Sequence, residues 1–332
     1  MKTHSIIILA AAAILSAALT ACSGKLKPEE NTNPIGFSTE TTKAVVDMPA
    51  GTFTAVGKYC SGSSWTLGAS SDVFSTAFQN ISTDGAGSCT YTPVQYWKAN
   101  SVYRFRAISP IAPDQVNYTD NLDGSATITN FTVSPSAASQ KDLLLSDMAT
   151  ATISSPIGDP APVALTFRHL LCKIRVQIIE DTSEPLSAPG SDVFTITGVK
   201  LTGLPDSGTY TGTSESGSWN TDAALLLSCV NNTAHTAPDS YSDPSADIWS
   251  DGLKLIPMTI TNQVNLVLDY TVTHSGETSS KSVVIPIPSI TWEAGKQYTY
   301  QLALSEDLYI YFGNISVDSW GATQASGTVI IK

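Results

Sequence analysis

The residues with chemistry to offer are few, and their spacing suits catalysis poorly. Histidine occurs four times in 332 residues. His169 alternates with Val163, Leu165 and Phe167, as a histidine built into a core does, while His235 falls in a polar stretch and His274 in a His-Ser-Gly turn. Adjacent carboxylates at Glu29-Glu30 and Glu306-Asp307 sit in surroundings that suit solvated surface. No HExxH, GxSxG or GxxxxGK[ST] pattern occurs, so zinc hydrolysis, serine nucleophiles and phosphate cradles have no motif to stand on. The expectation is a protein that is not an enzyme, with no catalytic residues, no cofactor and no metal. Six tryptophans (Trp65, Trp97, Trp219, Trp249, Trp292 and Trp320) offer faces for stacking on sugars. In a β-rich chain such side chains more often pack cores and edges.

Cysteine supplies a different chemistry. Cys22 closes the tetrapeptide Leu19-Thr20-Ala21-Cys22, which follows the apolar run Ile6 to Leu19. That run is short for a membrane span and ends in small residues, as a cleaved export signal does. The tetrapeptide resembles a lipoprotein lipobox, in which the thiol after the cut carries the lipid. Residues 1–21 are therefore read as a signal peptide, Cys22 as the lipidation site (palmitate included), and residues 22–34 as a polar, Pro- and Asn-containing leash. Cys60, Cys89, Cys172 and Cys229 remain. Four thiols allow three pairings. Cys60–Cys89 is the first to test, since both lie in Gly/Ser-rich turns, and four free thiols is the alternative. No CxxC spacing points to zinc.

The elements that must position these residues are strands. Charged residues make up 14% of the chain, and Thr, Ser and β-branched aliphatics suit half-buried pleated surface. The net charge is −12, and −13 once Lys2 leaves with the signal, which disfavours a nucleic-acid partner. Val102 to Ile108 reads as a half-buried strand, with Tyr103, Phe105 and Ala107 on one face and Arg104 and Arg106 on the other. Val264, Leu266, Leu268, Tyr270 and Val272 alternate inward, as do Tyr298, Tyr300, Leu302 and Leu304. Gln140 to Met148 is the one stretch with the makings of a helical turn, a polar Gly/Ser/Thr stretch to Ser218 precedes Trp219, and the segment 231–250 reads as a long polar loop. The Pro/Gly punctuation of 154–162 sets a boundary between residues 35–160 and 161–332. Beyond it, the inward parity flips from odd (Val163 to His169) to even (Cys172 to Ile178), so the chain must kink near Leu170-Leu171. The fold class is all-β, with short strands at turn-bounded intervals as in sandwiches or barrels.

Several blocks then align with one family. Ile35-Gly36-Phe37 with Thr42-Lys43-Ala44, Tyr91-Thr92-Pro93 with Tyr96-Trp97, Tyr103-Arg104-Phe105-Arg106-Ala107 with Ser109-Pro110, and Asp142-Leu143-Leu144 follow in order. Leu165-Thr166-Phe167-Arg168-His169 with Lys173 to Val176, Trp292 with Gly295-Lys296 and Tyr298-Thr299-Tyr300, and Ile315 to Trp320 complete the series. Together they resemble the fimbrillin-like lipoproteins of Bacteroidales.

The resemblance implies two tandem transthyretin-like β-sandwich domains in a type V pilus subunit. It further implies export to the outer membrane on a lipid anchor. A trypsin-like cut near the mature N-terminus then removes the first strand, and a strand from another pilin subunit replaces it. Lys43, between the strand-like Ile35 to Thr42 and the body, is the candidate cut site, and Thr328, Val329, Ile330 and Ile331 are the candidate donor strand. Expected partners are other pilin subunits, the outer membrane, and a host or bacterial surface receptor for adhesion by the fimbrium. The alternatives are an uncleaved anchor or accessory lipoprotein, and a surface glycan-binding lipoprotein.

Overall fold

The structure is a computed structural model that describes residues 33–39, 51–66, 68, 70–72, 80–109, 117–180, 193–221, 224–236, 247–304, 310–320 and 328–329. Within these residues the chain is strand after strand, from Phe37–Thr39 to Thr328–Val329, with one 3-10 turn at Ala137–Ser139. Cys22 and Lys43 lie outside the described residues, as do Ile330 and Ile331.

The first half builds one large antiparallel sheet. Its order is Phe167–His169, Leu144–Ser146, Ser101–Ser109, Gly51–Ser61, Ile81–Thr83 and Cys89–Thr90, with Ala149–Ile153 also paired to Ser101–Ser109. The second half builds two five-stranded sheets. One runs Leu253–Leu255, Cys172–Glu180, Lys296–Leu304, Ile310–Ser319 and Thr328–Val329. The other runs Leu227–Asn231, Val193–Leu204, Asn265–His274 and Glu277–Pro286, with His235–Thr236 beside Val193–Leu204. A further sheet joins the halves, because the hairpin Asn117–Thr119 and Ala126–Thr132 pairs with the hairpin Ser207–Gly212 and Gly217–Thr221.

Several expectations change in the folded chain. Ser101–Ser109 is buried on both faces, not one. Tyr103, Phe105 and Ala107 enter a small core with Phe53 and Phe167, while Ile108 enters the larger core that runs on to Ile315. Arg106 is only 2% exposed, and its guanidinium meets Asp120 Oδ2 at 2.8 Å and the Gly124 carbonyl at 2.8 Å. The Tyr118 hydroxyl and the Leu122 amide also donate to Asp120. This web satisfies a charge pair that burial alone would make costly. Gln140 to Met148 forms no helix. Its middle, Leu144–Ser146, is a strand, and the 3-10 turn comes just before the stretch.

The Gly/Ser/Thr stretch before Trp219 forms a hairpin, and part of 231–250, read as a loop, is strand. Gly217 is needed in this hairpin, because a Cβ there would collide with the Tyr210 hydroxyl. The Pro/Gly stretch 154–162 does not separate two sheets. Val163–Leu165 and Phe167–His169 still pair with first-half strands, so the chain leaves that half after His169. The change of parity falls there, with Leu170 and Leu171 both buried where one sheet ends and the next begins.

Cys60 and Cys89 do not pair, and Cys60, Cys89, Cys172 and Cys229 are free thiols. Cys89 stands opposite Thr83, which stands opposite Gly51, whereas Cys60 lies at the far end of the same strand Gly51–Ser61. Nine residues of strand separate the two ends by roughly 30 Å, and a disulfide needs Cα atoms within about 7 Å. Burial pushes the Cys229 thiol up to about 11 and raises that of Cys172 further still.

Candidate functional site: a strand seated in the first core

Residues 33–39 are an extended segment inserted between two walls. On one side Ile35 N–H donates to the Gln95 carbonyl (2.7 Å), Trp97 N–H donates to the Asn33 carbonyl (3.0 Å), and Thr39 N–H donates to the Gly87 carbonyl (3.1 Å). Antiparallel bridges Pro34–Tyr96 and Ser38–Ser88 run along this wall. On the other side Phe37–Thr39 pairs in parallel with Val163–Leu165, and Val163 N–H donates to the Gly36 carbonyl at 2.8 Å.

Alternation places the side chains. Ile35 (1% exposed) and Phe37 (3%) point into the small core, and Thr39 follows on the same face. Phe37 meets Tyr91 and Phe105 edge-on, with ring centroids 5.7 and 5.5 Å apart. Burying two such side chains removes roughly 1.5–3 kcal/mol each of apolar exposure. The Tyr91 hydroxyl donates to the Ile35 carbonyl at 2.6 Å and accepts from Gln95 N–H at 3.2 Å. Burial raises the Tyr91 pKa, so the phenol stays protonated and remains a donor. The segment thus completes a core and a hydrogen-bond ladder built by strands distant in sequence.

The sequence marked residues 35–42 as strand-like and noted the Tyr91-Thr92-Pro93 block. It missed that Tyr91, Gln95 and Val163 form the walls, since nothing local links residues so far apart in the chain. Thr328–Val329 pairs antiparallel with Ile315 and Ser316 as the last strand of its sheet. Among the described residues it has one neighbouring strand, whereas Phe37–Thr39 has a wall on each side.

The other sequence-marked residues do not converge on a second site. His169 lies at 9% exposure, with Nδ1 2.7 Å from Asp142 Oδ2 and its ring stacked on Trp320 at 3.9 Å. Trp97, Trp249 and Trp292 are buried. The Arg104 guanidinium covers Trp65, Trp219 packs on Phe131 and Tyr210, and Trp320 stacks on His169. All six tryptophans are thus engaged in the protein's own packing, and none is a free sugar platform. Among the described residues no group of His, Cys, Asp and Glu has a metal-binding arrangement, and no helix is long and apolar enough to cross a membrane.

A fimbrial protein from Bacteroides vulgatus shares the fold at TM-score 0.66 and 17% identity, over 86% of this chain and 99% of that one. Proteins assigned to cell adhesion from Bacteroides uniformis and Bacteroides ovatus follow. Their TM-scores are 0.52 and 0.51 at 18% and 16% identity, over 89% and 86% of this chain and 100% and 96% of theirs. No curated protein matches the sequence. The fimbrillin-like family model matches residues 42–320, and the chain belongs to the fimbrillin-like family. Membership supports a pilus-type adhesion subunit acting at the cell surface with other pilin subunits.

Proposed function

We propose that the protein is a structural pilus subunit that exchanges its first strand. It is exported as a lipoprotein on Cys22, anchored to the outer membrane, and freed when a protease cuts after Lys43. Residues 33–39 then leave, and a strand from another subunit enters between the 87–97 and 163–165 walls. The residues Thr328, Val329, Ile330 and Ile331 of that subunit are the proposed donor. The body is read as two tandem transthyretin-like sandwiches, with the division after His169.

The observation that supports this most is the seating of Ile35 and Phe37. Removing the segment would expose apolar pockets together with backbone groups that now pair with Asn33, Ile35, Gly36 and Thr39. An added strand repairs both defects at once. Thr328–Val329 lies at a sheet edge, and an edge strand can leave without opening the sheet's interior.

Limited trypsin digestion of the purified chain tests the reading. The expected result is a new N-terminus at Ala44, loss of residues 33–39 on separation, and a ladder of oligomers that deleting residues 328–332 abolishes. A trimmed chain that stays monomeric with an unchanged melting temperature would overturn it. The anchor alternative makes a different prediction, that surface-purified protein keeps an acylated Cys22 in its mass spectrum.

A further inference from the structure

The wall that holds residues 33–39 has an outer face as well as an inner one. Gln95 and Trp97 serve the seat and are 7% and 0% exposed, whereas Val94 and Tyr96, which alternate with them, are 46% and 42% exposed. Exposed Pro93 adjoins Val94, and the bridge Pro34–Tyr96 ties the patch to the start of the seated segment. Residues 91–97 carry no charge. The first charged side chain beyond them, Lys98, donates to the Tyr59 hydroxyl at 2.6 Å. In a chain of net charge −12, a neutral apolar patch is where two copies repel each other least.

Chain direction decides which end of the seat this is. Phe37–Thr39 runs parallel to Val163–Leu165, so the segment passes from Asn33 beside Trp97 to Thr39 beside Gly87. A replacement strand that repeats this pairing has its first residue at the Trp97 end, next to Val94 and Tyr96. For the donor strand 328–331 that residue is Thr328, and its tether to the folded body is short. Seven residues, 321–327, separate it from Trp320. Fully extended, such a tether reaches at most about 25 Å. Trp320 belongs to the body, since its N–H donates to the Gly295 carbonyl at 2.9 Å and its ring stacks on His169. A folded chain of this length has a radius of gyration of roughly 20 Å. The tether is therefore too short for the donor's body to hang clear of the acceptor.

We propose that Val94 and Tyr96 form a docking surface for the body of the second copy that donates the strand. That copy presents the end of its last sheet, Trp320 with the 293–296 turn, where Glu293 and Ala294 are exposed. The proposal rests on the strand exchange above and adds to it a second contact, outside the seat. The two surfaces are unlike, so the contact is head-to-tail. Each subunit in a row then keeps one surface of each kind to offer, and the contact propagates along a filament instead of closing on a two-fold dimer.

The test offers one acceptor two ligands. The acceptor is the trypsin-trimmed chain without residues 328–332, which can receive a strand but not give one. The ligands are a labelled peptide of residues 326–332, which needs only the seat, and the untrimmed chain, which also brings its body. In the acceptor, Val94→Glu and Tyr96→Glu should each weaken binding of the untrimmed chain about tenfold or more while peptide binding stays within about twofold of the parent. Val284→Glu, at an exposed position on the strand Glu277–Pro286, should change neither. All three positions are exposed, and equal melting temperatures will show that the variants fold. Variants that hold the untrimmed chain as tightly as the parent overturn the docking surface and leave strand exchange standing. Variants that lose both ligands equally also overturn it, because the two residues then shape the seat itself. A parent acceptor that takes neither ligand overturns strand exchange, and the docking surface with it.

Discussion

At the scale of the residue, the Arg106–Asp120 pair carries the clearest physical lesson. An arginine alternating with Tyr103, Phe105 and Ala107 reads as a solvent-facing side chain, and on an ordinary half-buried strand it would be. Here a second layer covers that face, and the guanidinium is kept inside by Asp120 and the Gly124 carbonyl. Asp120 in turn holds the Tyr118 hydroxyl and the Leu122 amide, so three groups depend on one carboxylate. Its proximity and burial also raise the Tyr118 pKa, with burial the larger cause. Asp120→Ala would leave a buried positive charge without its partner, and the expected loss is about 3–5 kcal/mol in urea unfolding. Replacing both partners with apolar residues of similar volume should cost much less, and that contrast separates an uncompensated charge from lost packing.

At the scale of the element, residues 33–39 are short to be held so firmly. Hydrogen bonds on two edges and a buried alternate face do what length does not. Phe37→Ala removes the ring that meets Tyr91 and Phe105, and a large-to-small change in a core typically costs about 3–5 kcal/mol. If the segment is an exchangeable plug, this variant should lose it more readily. The expected outcome is faster amide exchange at Ile35 and Thr39 with little change in the second-half strands. Equal acceleration everywhere would mean that the segment unfolds only with the whole molecule. Chain direction matters too, because any replacement strand must run parallel to Val163–Leu165 to repeat the pairing of Phe37–Thr39.

At the scale of the whole molecule, the halves are stitched together. The hairpin of residues 117–132 shares a sheet with the hairpin of residues 207–221, and Arg168 reaches both Asp147 and Glu215 at 3.1 and 2.9 Å. Ser214 also bonds Asp147. The larger core takes in Ile108 and Phe131 alongside Leu201 and Tyr300. Calorimetry should therefore show one cooperative transition, and a fragment covering 161–332 should fail to fold, because Ser207–Gly212 loses its partner and the core loses one wall. Two separate transitions, or a fragment with a native far-UV spectrum, would contradict this coupling. A subunit braced in this way suits a fibre, since load passes from one half to the other through paired backbone.

Much of the architecture could be read from residue order. Alternation along 264–272 matches the buried face of that strand, and the parity change at Leu170-Leu171 marks the passage from one sheet to another. These are local properties, because a strand records its two faces in every second residue. Order also showed residues 35–42 as strand-like. It could not show that Tyr91, Gln95 and Val163 would enclose them, that the Gly/Ser/Thr stretch before Trp219 would pair with residues 126–132, or that Cys60 would lie at the end of Gly51–Ser61 far from Cys89. Each of these depends on contacts between residues far apart in the chain. The sequence by itself determined the strand periods and hence the all-β class. Only the tertiary structure decided which faces are covered twice, and so why Arg106 is inside and why residues 33–39 complete a core they do not adjoin in sequence.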